Sequence, residues 1–316
     1  MSKNYNFELN KKKIWVAGHN GMVGRAICKK LEDKNLNILT VNKSTLDLTD
    51  QQKTFNWIKK NTPQVVFLAA AKVGGIKSNS LNQAEFLYQN LMIQNNVIKA
   101  AAKLNVEKLI FLGSSCIYPK EADQPIKESS LLCKPLEKTN EGYAIAKIAG
   151  LKLCSYLFKE YNKDFITVMP TNLYGPNDNF DLDNSHVLAA LINKITYAKK
   201  NNKKSVEIWG TGKPKRDFLH VNDLADAVCL AAEKYSSSSP INIGSSKEIS
   251  IEELAQTIAK LLDWSGTFKF NSNMPDGTML KKLDTTKINK MGWRPKIDIK
   301  TGIKNTIKEF INLNYA

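Results

Sequence analysis

The chain has 316 residues, 42% apolar and 24% charged, which suits one or two cored domains. No run approaches the ~18–20 apolar residues of a membrane span, and the lysine-rich stretch Met1–Lys13 has no apolar signal segment, so a cytoplasmic protein without membrane contact is expected. The net charge of +16 is almost all dispersed lysine, with arginine at Arg25, Arg216 and Arg294 alone; this argues against a nucleic-acid partner, which would favour arginine, and suits small polyanionic ligands.

Apolar runs at 13–18, 36–41, 65–71, 108–113 and 165–169 read as buried strands, and stretches near 22–34, 51–60, 84–104 and 141–162 read as helices. Repeated βα units of this kind predict an α/β fold, a Rossmann-like doubly wound parallel sheet with helices on both faces. After Pro170 the pattern loosens. Asn177–Ser185 is polar and loop-like, a helix follows over about 186–200, and a short strand over 206–209. Leu219–Lys234 reads as a helix returning to the first unit, Ile251–Leu262 as a helix and Pro275–Lys282 as a loop. The expected division is residues 1–172 plus about 219–243 for the Rossmann domain, with about 173–218 plus 244–316 as a smaller, interleaved α+β lobe. Cysteines at 28, 116, 133, 154 and 229 form no CxxC pair and are odd in number, against a disulfide framework or structural zinc, so no metal is expected.

The first strand runs into Gly18-His19-Asn20-Gly21-Met22-Val23-Gly24, and a helix begins at once. Glycines spaced in this way permit a sharp turn, let backbone N–H groups approach a pyrophosphate and allow close helix–strand packing. Asp47 and Leu48 follow the second βα unit and could cap the adenine end, while small residues from Ala69 to Gly75, including Ala70 and Ala71, leave room for a cofactor across the strand ends.

Tyr143 and Lys147 stand at i and i+4, one above the other on a helix face. The lysine and a nicotinamide ring are expected to lower the phenol's pKa, so that Tyr143 exchanges a proton with a carbonyl oxygen to which Ser114, at a strand end, also hydrogen-bonds. Cys116, two residues on, would point to the same side of an extended segment as Ser114. His19 would line the cofactor turn and His220 would buttress the sheet.

These residues resemble the extended short-chain dehydrogenase/reductases. The strings Ala69–Gly75, Leu112–Lys120, Tyr143–Gly150 and Met169–Pro176, with Asn184–His186, Arg216–Val221 and Pro275–Thr278, resemble the GDP-L-fucose synthase family, which epimerises a GDP-4-keto-6-deoxy-sugar at C3 and C5 and then reduces C4. The resemblance covers nearly the whole chain after residue 13. It implies an NAD(P)-dependent oxidoreductase with Ser114, Tyr143 and Lys147 for reduction and Cys116 and His186 as the epimerase pair, in a cytoplasmic homodimer joined through the helices near 84–104 and 141–162, where Ala100–Ala102 would permit close packing. NADP(H) would lie on Gly18, Asn20, Gly21, Met22, Val23, Gly24, Lys43, Asp47, Leu48, Ala70, Ala71, Tyr143, Lys147, Pro170, Asn172, Leu173 and His186. The GDP-sugar would meet Ser115, Asn172, Lys194, Trp209, Arg216, Asp276 and Lys281, with Arg216 gripping the diphosphate and Trp209 near the guanine.

The sequence departs from the family at three places. Asn20 and the Val41-Asn42 pair stand where the family has arginines for the extra phosphate of NADP, leaving Lys43 as the nearest cation and NAD(H) open as a cofactor. Lys194 replaces a common arginine facing the substrate, so a GDP-4-keto-6-deoxy-heptose, reduced without epimerisation, is an alternative. An NAD-retaining epimerase or dehydratase is a weaker rival, since Ser115-Cys116 stands where a dehydratase carries a carboxylate pair. A silent Rossmann regulator is opposed by the intact Ser114, Tyr143 and Lys147.

Overall fold

The structure, a computed structural model, describes residues 5–182, 184–274 and 276–315. The first residues of the lysine-rich N-terminal stretch, position 183 of the polar loop and Pro275 of the last family-like string lie outside them.

The alternation seen in the sequence becomes β1 (Lys13–Ala17), α1 (Met22–Glu32), β2 (Asn37–Leu39), α2 (Gln51–Asn61), β3 (Val65–Leu68), α3 (Ile76–Leu81), α4 (Gln83–Lys103), β4 (Lys108–Leu112), α5 (Glu141–Tyr161) and β5 (Asp164–Pro170). The chain continues through β6 (Asn172–Tyr174), α6 (Val187–Lys200), β7 (Ser205–Trp209), β8 (Lys215–His220), α7 (Val221–Lys234) and β9 (Ile241–Ile243). It closes with β10 (Glu248–Ser250), α8 (Ile251–Leu261), β11 (Thr267–Asn271), β12 (Leu280–Lys281), α9 (Thr286–Lys290) and α10 (Ile299–Tyr315). Six strands form one parallel sheet in the order β2-β1-β3-β4-β5-β9. The strand order reverses beside β1, and a crevice opens there at the carboxyl ends of the strands, where ligands bind in such sheets.

Alternate residues of each strand serve opposite faces. Ile14, Val16, Val65, Phe67, Ile110 and Leu112 pack with α1 and α7, while Trp15, Val66, Leu68, Leu109 and Phe111 pack toward Val97, Ile98, Cys154 and Leu157 of α4 and α5. Both faces are covered, so the strands are apolar throughout rather than alternating. A separate core joins α6, α8 and α10 through Leu188, Ile192, Leu254, Ile258, Ile303 and Phe310.

Three expectations need correction. The segment entering the helix at 219–234 is a strand, β8, as far as His220; it pairs with β6, β10 and β12, and the helix starts at Val221, where the His220 ring accepts the Asn222 amide hydrogen bond. Residues 280–281, expected in a loop, form β12 on β8. Ala100 and Ala101 are buried inside the chain's own core against the sheet, because the apolar stripe of α4 faces that way, so they are not free to pack on a second copy.

The amino ends of β4 and β5, opposite the crevice, carry a buried ion pair. Lys108, with no exposed surface, donates to Asp164 Oδ2 at 2.7 Å and to the Tyr235 carbonyl at 2.6 Å, and Tyr5 joins the same group. Burial lowers the Lys108 pKa to about 8, against the opposing pull of Asp164. Lys108→Ala leaves Asp164 without its buried partner and should destabilise the fold by roughly 3–5 kcal/mol. Urea unfolding checks this; a loss below ~1 kcal/mol would show the pair to be an ordinary surface bridge.

Candidate active site

The turn between β1 and α1 is closed tightly at the head of the crevice. Gly18 has φ +92°, in the left-handed region, and a Cβ on it would stand 2.5 Å from the Ala70 amide nitrogen. A Cβ on Gly24 would stand 2.1 Å from the Gly18 carbonyl oxygen. Neither position admits a side chain, so strand, turn and helix close directly on one another. Gly21 caps α1 without a side-chain hydrogen bond and the first turn has no acidic residue, so its N–H groups are left for an anion.

A cavity of about 840 Å³ runs from this turn along the strand ends. Every residue assigned to the cofactor in the sequence lines it: the turn from Gly18 to Gly24, then Lys43, Asp47 and Leu48, Ala70 and Ala71, Tyr143 and Lys147, Pro170, Asn172, Leu173 and His186. Ser114, Ser115 and Cys116 line it too. The glycine cradle, the free helix N-terminus and the cavity's length fit a dinucleotide. At the β2 end Asn20 donates to Asn42 Oδ1 at 2.9 Å, and Lys43 is exposed beside them. No carboxylate stands between Leu39 and Lys43 to hold a ribose hydroxyl pair or repel a phosphate. The Asp47 carboxylate is turned onto the Thr49 amide and hydroxyl, and those hydrogen bonds hold its pKa low.

At the far end, Lys147 is buried and its Nζ donates to the Leu112 carbonyl at 2.8 Å; burial pushes its pKa down to about 7. The Tyr143 phenol is pushed upward, first by burial and then by the nearby Cys116, with the Ser114 hydroxyl opposing. The expectation of a lowered phenol was for Lys147 together with a nicotinamide ring, and in the protein alone the direction is upward. In the protein alone desolvation wins, the ammonium is committed to a main-chain carbonyl, and Tyr143 is held as a protonated acid.

The segment after Ser114 is also not extended. The Ser114 hydroxyl accepts the Cys116 amide at 3.2 Å and winds Ser115–Ile117 into a single 3₁₀ turn, with Ser115 buried inside it. The Cys116 sulfur then receives Asn140 Nδ2 at 3.3 Å and Lys281 Nζ at 3.6 Å. His186 is the N-cap residue of α6, exposed toward the cavity, and desolvation by the protein around it lowers its pKa below the ordinary imidazole value. Its loop is clamped by Gly75, whose amide donates to the Asn184 carbonyl at 2.9 Å and where a Cβ would lie 2.4 Å from the Ser185 carbonyl oxygen.

The remaining substrate candidates gather on the second core, beside the cavity rather than in its wall. Lys194 Nζ lies 5.6 Å from the Trp209 ring centre and donates to the Glu207 carbonyl at 3.1 Å. Arg216 donates to the carbonyls of Lys215, Thr278 and Asp276, and its pKa is lowered by burial. The Asp276 carboxylate is taken up by the Thr211 amide at 2.7 Å and hydroxyl at 2.9 Å. Lys281, reaching Cys116, joins this group to the cavity. Sequence reasoning missed Asn140 and Asp178, and gave Gly75 only as a small residue of the Ala69–Gly75 segment. Asp178 lines the cavity with its Oδ2 buried and unpartnered, and burial pushes its pKa up to about 7. No cluster of metal-ligating side chains occurs among the described residues.

Fold and site together define an NAD(P)-dependent oxidoreductase of the extended short-chain type. The chain belongs to the NAD dependent epimerase/dehydratase family, whose profile matches residues 14–244, and within it to the group of the GDP-L-fucose synthases. It is 48% identical over 304 residues to the GDP-L-fucose synthase of Sinorhizobium fredii, covering 96% of this chain and 97% of that one. It is similar in structure to a GDP-6-OMe-4-keto-L-xylo-heptose reductase from C. jejuni (TM-score 0.91, 35% identity, 98% of this chain and 100% of that one). It is likewise similar to a GDP-L-fucose synthetase from Naegleria fowleri bound to NADP (TM-score 0.89, 27% identity, 100% and 99%).

Asp217, next to Arg216, supports the site from beneath. Its carbonyl accepts Asn172 Nδ2 at 2.8 Å and the Thr171 hydroxyl at 3.0 Å. Its carboxylate takes the Ser245 amide and hydroxyl through Oδ1, but Oδ2 is buried without a partner, and burial raises the pKa from 3.8 to about 6. A carboxyl raised on folding favours the folded state most below its unfolded pKa, and that contribution is lost as pH climbs through the folded value. Asp217→Asn should therefore gain stability relative to the wild type between about pH 4 and pH 6. Thermal melts across that range check it; a difference in Tm that does not change with pH would rule out the raised carboxyl.

Proposed function

We propose that the chain reduces the 4-keto group of a GDP-4-keto-6-deoxy-sugar with NADP(H) and first epimerises the carbons on either side of it. The observation that carries this reading is the convergence of Ser114, Tyr143, Lys147, Cys116 and His186 on the one cavity that the glycine turn opens. The cofactor would lie from Gly18–Gly24 to Tyr143 and Asn172, where its nicotinamide supplies the hydride for the carbonyl carbon. Tyr143 gives its phenolic proton to the carbonyl oxygen, and the Ser114 hydroxyl holds that oxygen as charge develops. Lys147 fixes the helix register that puts the two hydroxyls side by side. For epimerisation, one of Cys116 and His186 removes a proton from the carbon beside the ketone and the other returns one on the opposite face, while Tyr143 and Ser114 steady the enolate oxygen.

Arg216 suits the diphosphate, Trp209 and Lys194 the base and ribose, and Lys281 and Asp276 the sugar end, with Ser115 shaping the turn beneath it. Residues 1–172 with about 219–243 would form the cofactor domain, and about 173–218 with 244–316 the nucleotide-sugar lobe. A homodimer would form through the outer face of α4 and α5, where Tyr88, Ile145 and Tyr156 are exposed. No described helix is long and apolar enough to cross a membrane, and on this reading the enzyme would work in the cytoplasm. A second reading, a reductase acting on a GDP-4-keto-6-deoxy-heptose without epimerisation, is favoured by Lys194 and by the likeness to the C. jejuni heptose reductase.

Cofactor oxidation with a panel of GDP-4-keto-6-deoxy hexoses and heptoses, with product stereochemistry read by NMR, separates the two readings. Tyr143→Phe should lower turnover by ~10²–10⁴-fold with little loss of cofactor affinity. Near-normal reduction by that variant would remove the tyrosine from the mechanism. Lys43 with no carboxylate beside it should make kcat/KM higher with NADPH than with NADH, and Lys43→Ala should narrow the ratio. An NADH preference in the wild type would overturn the cofactor assignment.

A further inference from the structure

Asn140 holds the N-cap position of α5, the helix that carries Tyr143, yet makes no side-chain capping hydrogen bond. An asparagine there ordinarily accepts an N–H of the first turn through its side-chain oxygen. Here the amide is diverted. Its Nδ2 donates to the Cys116 sulfur at 3.3 Å, while its Oδ1 is buried without a hydrogen-bond partner. A helix that forgoes its cap and strands a buried carbonyl oxygen has surrendered local stability for the contact it gains, a trade found at functional sites. Lys281 Nζ approaches the same sulfur at 3.6 Å from β12, and the Cys116 amide is fixed on Ser114 Oγ.

We propose that Asn140 is the positioning residue for the epimerisation step: its amide N–H fixes the rotamer and lone-pair direction of the Cys116 sulfur, so that the sulfur faces the carbon whose proton it exchanges. This rests on the assignment of Cys116 to epimerisation. Because Asn140 begins α5, it also sets the sulfur in register with Tyr143, so that both groups address one ketone without substrate release. The Asn140 side chain donates to Cys116 and not to Ser114 or Tyr143, so its loss should separate the two chemistries.

The experiment incubates the GDP-4-keto-6-deoxy-sugar with enzyme in D2O and follows deuterium at C3 and C5 by NMR. In parallel, NADPH oxidation is measured on the sugar already in its epimerised form. Wild-type enzyme should incorporate solvent deuterium. Asn140→Ala should slow incorporation roughly 10–100-fold, the weight of one hydrogen bond to a group that carries charge, with reduction of the epimerised sugar within about threefold of wild type. Asn140→Asp, which keeps the shape and removes the donor, should show the same split; it also covers the case in which the alanine variant does not fold. Incorporation at wild-type rate by Asn140→Asp overturns the proposal while leaving Cys116 in its role. Equal loss of both activities overturns it in favour of a structural part for Asn140. A wild-type enzyme that incorporates no deuterium overturns the epimerase assignment of Cys116, and this inference with it.

Discussion

Lys147 is buried in a helix that lies against the sheet, and its ammonium reaches the main-chain carbonyl of Leu112, the last residue of β4. A long, charged side chain is costly to bury, and this one is tolerated because a carbonyl at a strand end receives it. The bond pins α5 to the point where β4 gives way to Ser114. Two close approaches keep it there. A Cβ at Gly150 would stand 2.6 Å from the Phe111 ring, and Gln94 of α4 donates to the Ala146 carbonyl at 2.6 Å. The spacing of Tyr143, Ser114 and Cys116 is a consequence of that docking.

The second core meets the sheet through main chain as much as through side chains. Asn172 and Thr171 donate to the Asp217 carbonyl at the head of β8, so the end of β5 and the strand bearing Arg216 are tied before any ligand is present. Lys281, on the strand paired to Arg216, then reaches across to Cys116. Groups suited to a nucleotide diphosphate and groups suited to proton exchange therefore share one rigid frame. In the proposed reaction such a frame would let binding energy far from the ketone orient the ketone itself.

Electrostatics in the crevice are governed by desolvation. It holds the Tyr143 phenol up, brings Lys147 down to about 7 and keeps His186 below its usual value. All three shifts favour the neutral form of the group, the direction that desolvation imposes on acids and bases alike.

The sequence by itself determined what depends on near neighbours along the chain. The Gly18, Gly21 and Gly24 spacing, the alternation of strand and helix as far as Pro170, and the four-residue step from Tyr143 to Lys147 are each local or periodic patterns, and the structure contains them, with the expected strands 36–41 and 65–71 shortened to Asn37–Leu39 and Val65–Leu68 and the short α3 added. Tertiary structure decided the rest. β8 was hidden because its apolar pair, Phe218 and Leu219, runs almost directly into the helix after it and its partners come from elsewhere in the chain. Which face of α4 is buried followed from the sheet beneath it, so Ala100 and Ala101 turned inward. The raised phenol of Tyr143 reflects surrounding bulk that no helical spacing encodes. The surroundings of Cys116 are the clearest case: Asn140 lies 24 positions away and Lys281 lies 165, and only the packing of the two cores places both on one sulfur.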